Sequence, residues 1–145
     1  MTKDELYQEI QRVKNQISHA RDEQHKLEEK WEVLLEFSQK CNERAERFLE
    51  SVQRRKRKLS GIDHLLSRMK AATKYRDRMN DLLNGQDYNT AKSSIDELMR
   101  NLDGQKRQVK QELVDTGRRI QTLQNRLNQL QHEYNNFPEE DETDV

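Results

Sequence analysis

Proline occurs once in the 145 residues, cysteine once and glycine four times. The lone proline, Pro138, leaves the preceding chain free of the residue that most strongly breaks helices. A single cysteine, Cys41, excludes an internal disulfide and has no metal-type ligands beside it. No apolar run approaches the roughly 18 residues of a membrane span, and the first residues lack the charged, apolar and small-residue regions of a secretory leader. The expectation is a cytoplasmic chain with no membrane insertion.

Hydrophobic residues are also scarce, at 31%, whereas charged residues reach 37%, so a thick globular core is not expected. Disorder is not the consequence. Net charge is zero, and Ala, Glu, Lys, Leu, Arg and Gln together supply 78 residues, a composition suited to long helices.

Stepping alternately four and three residues from Leu6 meets Ile10, Val13, Ile17, Ala20, Gln24, Leu27, Trp31, Leu34, Ser38, Cys41, Ala45, Phe48, Val52, Arg55, Leu59, Ile62, Leu66 and Met69. Sixteen of these nineteen positions are apolar, the a/d pattern of a coiled coil. A three-residue stammer then shifts the stripe to Ala72, Met79 and Leu83. A second stripe runs through Tyr88, Ala91, Ile95, Leu98 and Leu102, and after a stutter through Val109, Leu113, Thr116, Ile120, Leu123, Leu127, Leu130, Tyr134 and Phe137.

The best turn signal between the stripes is "NGQD", residues 84–87. Gly85 suits a left-handed position after Asn84, and Asp87 or Asn89 can cap the following helix. The predicted fold is an all-α, long antiparallel helical hairpin or coiled coil over 1–137. It has helix one at about 4–83, a turn at 84–87, helix two at about 88–137 and a disordered acidic tail at 138–145. Leu59 and Ile62 keep the register across Gly61, so helix one is expected to run through it. Ser60 and Asp63 resemble a capping box with Asp in place of Glu, which makes a kink or new helix start at Gly61 the alternative.

A turn at 84–87 pairs helix two back only to about residue 33. Leu6, Ile10, Val13, Ile17, Leu27, Trp31 and Leu34 are then an unpaired apolar overhang, the predicted partner-binding surface. Each such side chain gains roughly 1.5–3 kcal/mol on full burial, so a helical protein partner or a homo-oligomer is expected to cover them. Trp31 is either an anchor in that partner or a core residue of an internal bundle.

Arg54, Arg55, Lys56, Arg57 and Lys58 form an unbroken basic run. On a helix such a run points around the whole circumference, and Arg55 falls on the seam. Glu43, Glu46 and Glu50 precede it and the chain is neutral overall, so a solvated collar whose Arg55 meets an acidic partner is favoured over nucleic-acid binding or a localisation signal. His19, His25, His64 and His132 show no metal-ligand spacing, and the sequence carries no phosphate-binding glycine loop or nucleophile motif. Neither catalysis, a metal nor a cofactor is expected.

At the C-terminal end, "FPEED" places Phe137 and Asp141 four residues apart, and "TDV" fits a carboxyl-terminal ligand for strand-addition domains. With its length, high charge, few glycines and predicted hairpin, the chain resembles the small helical accessory proteins encoded beside LXG toxins of bacterial type VII secretion systems. Phe137 and Asp141 match an F-x-x-x-D pattern of one branch of that group. The turn reads "NGQD", which separates the chain from the small secreted Trp-x-Gly proteins. The resemblance implies a targeting factor or chaperone that binds the helical N-terminal region of an LXG toxin, with a second small helical protein, and is co-exported or stays behind. Alternatives are an export stalk that docks on an export ATPase, a self-associating structural coiled coil, and a nucleic-acid binder using residues 54–58.

Overall fold

The computed structural model describes residues 1–66 and 70–139, with side chains described for 1–60 and 73–139. The fold is all-α, built from α1 (Lys3–Leu66), α2 (Lys70–Asn84) and α3 (Gln86–Asn135). α1 begins in a reciprocal capping box. The Thr2 backbone N–H donates to Glu5 Oε2 at 2.7 Å and the Glu5 backbone N–H donates to Thr2 Oγ1 at 3.2 Å, which satisfies two N–H groups that an uncapped helix leaves open. The helix passes through Ser60 and Gly61, so the capping box suggested by Ser60 and Asp63 starts no new helix there. Continuity of helix one across 67–69, and the seam position of Met69, lie outside the described residues.

The chain divides into two compact units, one formed by Met1–Glu32 with the chain from Arg107 onward, the other by Val33–Lys106. In the first, Leu6, Ile10, Val13 and Ile17 are buried with Leu127 and Leu130, and Leu123, Tyr134 and Phe137 pack against them. Tyr7 lies against Tyr134 with ring centroids 6.3 Å apart, and Arg119 pairs with Glu23. The helices of this unit therefore run antiparallel.

In the second unit Val52, Leu59 and Leu83 are buried together, with Phe48, Met79 and Tyr88 around them. Tyr88 stacks on Phe48 at 6.1 Å, and Lys106 Nζ donates to Ser38 Oγ at 3.1 Å. As α3 advances from Tyr88 to Lys106 its partners on α1 recede from Phe48 to Ser38. α2 precedes α3 in the same sense, with Met79 and Leu83 at the level of Val52 and Leu59. This unit is a helical hairpin of α1 against α2 and α3.

These contacts correct the predicted hairpin turn at 84–87. α2 already packs antiparallel to α1, and Gly85 only interrupts the returning arm. A glycine flanked by asparagine marks a helix break equally well whether or not the chain turns back, and register decides between the two. Within the first unit the apolar residues Leu6, Ile10, Val13 and Ile17 meet α3, and within the second Val52 and Leu59 meet Leu83 of α2.

Gly85 is also not left-handed, since no described glycine has positive φ. Its carbonyl accepts from the Asn89 N–H at 3.1 Å, which makes it the N-cap of α3, and Asn84 Nδ2 donates to the Asn80 carbonyl at 3.1 Å to close α2. Glycine is needed here because a Cβ would sit 2.1 Å from the Asp81 carbonyl oxygen. At the far end of α3 the Phe137 N–H donates to the Tyr134 carbonyl at 3.3 Å, and Pro138 follows with no N–H to continue the ladder.

Candidate functional site

The predicted overhang does not exist. Leu6, Ile10, Val13 and Ile17 are each 5% exposed or less, covered by the last turns of α3. Leu34 is buried as well, while Leu27 and Trp31 are half-buried. Pairing the helices from a turn at 84–87 would leave about half of α1 without a partner, whereas the packing observed covers Leu6, Ile10, Val13 and Ile17 with α3. Leu27 borders an open cleft with Glu23, Lys26, Glu112, Asp115 and Thr116. Phe137 packs on the core of the first unit, whereas Asp141 and the "TDV" end lie outside the described residues.

Large apolar side chains are exposed elsewhere. In "VLLEF", residues 33–37, Leu34 and Ser38 face inward, and Val33 and Phe37 each precede one of them by one position. Val33 and Phe37 are one helical turn apart, so they stand beside each other along one flank of the seam. They are 65% and 48% exposed, and Leu35, on the opposite flank, is 37% exposed. The apolar residues of this stretch span three sides of the helix, with the exposed Glu36 on the fourth, a wider apolar arc than a single partner helix covers. Here α3 covers one side only. The second unit also exposes Leu49 on α1 and Leu98 on α3. Leu98 was expected in the seam, but Met99 is the half-buried residue at that level.

The basic run occupies α1 in the same unit. Arg54, Arg55, Arg57 and Lys58 are exposed, and Lys56 is half-buried with its ammonium 5.2 Å from the centre of the Tyr88 ring. The seam residue of the run is therefore Lys56 and not Arg55. Tyr88 turns its ring toward Phe48 and Lys56, and a cation over an aromatic face recovers part of the electrostatic cost of bringing a lysine to the seam.

Among the described residues no three His, Cys, Asp or Glu side chains converge to hold a metal ion, and no helix is long and apolar enough to cross a membrane. Cys41 is a free, half-buried thiol in the seam stripe. No protein-family model, curated protein or solved structure matches the chain.

Proposed function

We propose that the protein is a non-enzymatic helical adaptor that docks on helices of another protein through the exposed apolar residues at 33–37, centred on Val33 and Phe37. The observation that carries this reading is the exposure of Val33, Leu35 and Phe37 around the buried Leu34. Covering what remains exposed of these three side chains is worth roughly 2–5 kcal/mol. That does not exceed the association cost, so the strip acts as an anchor within a larger contact whose charged rim sets the register. The residues proposed for binding therefore move from Leu6, Ile10, Val13 and Ile17 to the flanks of the seam. The resemblance to LXG accessory proteins supports a secreted toxin's helical N-terminal region as the partner class.

The test is affinity capture from nuclease-treated host lysate with the wild-type chain and with Val33→Asp/Phe37→Asp. One helical protein, recovered near equal stoichiometry by the wild type and lost by a variant of unchanged helicity, is the expected result. Equal recovery by the variant overturns the reading. Recovery of only further copies of the chain replaces it with a self-associating rod.

A further inference from the structure

The total charge of zero hides a strong local imbalance. Residues 52–84 contain ten Lys or Arg against three Asp or Glu, a net +7, so the remainder of the chain is correspondingly acidic. Because α2 folds back along α1, cations distant in sequence flank one apolar cluster. Lys58 adjoins Leu59 and Arg78 adjoins Met79, both members of that cluster.

The exposed residues have a common edge. Lys58, Tyr75 and Leu82 each stand one position before a residue of the seam (Leu59, Arg76 and Leu83), and in an antiparallel helix pair those positions on the two helices border the same side. Arg55 precedes Lys58 by three residues and Arg78 follows Tyr75 by three, so both fall on that edge as well. Tyr75 is 59% exposed, with Lys74 before it in sequence and Arg78 one turn on. Thus an accessible aromatic ring lies on the edge that carries Arg55, Lys58 and Arg78, with Lys74 next to it in sequence.

We infer that this edge binds single-stranded nucleic acid, RNA or DNA, with the cations along the phosphates and a base stacked on Tyr75. Phosphate neutralisation supplies affinity without reading sequence, and a solvent-facing ring flanked by cations is the complement of an unpaired base. A duplex keeps its bases stacked and offers Tyr75 no face. An anionic membrane is matched less well, since the apolar residues exposed on the described part of this edge are Tyr75 and Leu82, too few for a face that enters the headgroup layer. The surface is separate from Val33, Leu35 and Phe37, so the adaptor reading and this one stand or fall independently.

The test is fluorescence anisotropy of the full chain with labelled oligouridine and oligothymidine of about 20 nucleotides, across salt. If four cations contact phosphates, raising salt from about 50 to about 200 mM weakens binding about 50-fold. Arg55→Gln/Lys58→Gln/Arg78→Gln lowers affinity and reduces that salt effect to about two- to threefold. Tyr75→Ala weakens binding about tenfold and Tyr75→Phe restores it. Lys14→Gln/Arg21→Gln/Arg126→Gln, in the other unit, binds as the wild type does. Circular dichroism confirms that each variant is folded. Absence of binding at low salt overturns the inference, as does an unchanged salt slope in the Arg55/Lys58/Arg78 variant. Equal affinity for a duplex of the same length, or tighter capture by phosphatidylglycerol vesicles, also overturns it in favour of those ligands.

Discussion

Lys106 on α3 reaches Ser38 on α1, its Nζ donating to the Ser38 hydroxyl at 3.1 Å while Asp103 Oδ1 lies 3.4 Å from the same ammonium. Ser38 is a polar residue within an apolar stripe and is 3% exposed, so its hydroxyl depends on this bond in place of water. The pair ties one level of α1 to one level of α3. Sliding either helix by a turn would leave the buried hydroxyl without its cation. Ser38→Ala is expected to lower stability by about 1 kcal/mol, read as a shift of the urea midpoint at unchanged slope.

Leu130 is fully buried and Ile10 is 5% exposed within the core of the first unit. Leu130→Ala and Ile10→Ala are each expected to cost about 2–5 kcal/mol, with the loss seen in chemical unfolding of the protein alone. Val33→Ala, at an exposed site, should change stability by less than about 0.5 kcal/mol. A stability change at Val33 equal to that at Ile10 would contradict the assignment of Ile10 to the fold and Val33 to the surface.

Gly85, Gly104 and Gly117 divide into two kinds. A Cβ at Gly85 meets the Asp81 carbonyl, whereas one at Gly104 or Gly117 meets nothing within 4 Å. Gly104→Ala and Gly117→Ala should each raise stability by about 0.5–1 kcal/mol, since both positions lie inside α3 and alanine restricts the unfolded chain. Gly85→Ala should destabilise, because the junction of α2 and α3 must shift to admit the methyl group. Thermal unfolding of the three single variants decides this, and a rise at Gly85 would refute the close approach.

Lys56 and Arg55 adjoin in sequence but not in role. Lys56→Gln removes the cation from the Tyr88 ring and should cost about 0.5–1 kcal/mol, whereas Arg55→Gln should leave stability nearly unchanged. Equal midpoints for the two variants in urea unfolding would place neither residue at the seam.

Most of the core was legible in the heptad spacing. Leu6, Ile10, Val13, Ile17, Val52, Leu59, Leu102, Val109, Leu127 and Leu130 all lie on the stripes read from the sequence and all are buried. Spacing identifies a face because side chains three and four apart share one side of a helix, whatever the helix packs against. The substitution of Lys56 for Arg55 at the seam was not legible. A long cation can enter a seam when a ring is present to receive it, and Tyr88 is brought there only by the return of the chain.

The amino-acid sequence by itself therefore determined the helices and their inward faces, through local propensity and periodicity. It did not determine which face meets which. Gly85 supplies a strong local signal for a break, yet α2, which precedes it, already packs its Met79 and Leu83 against α1. Pairing is set by apolar area buried over the whole length of both arms, a sum that no short stretch encodes. Tertiary structure decided it. Antiparallel packing of α2 and α3 on α1 made the expected overhang core and left Val33 and Phe37 as exposed apolar residues.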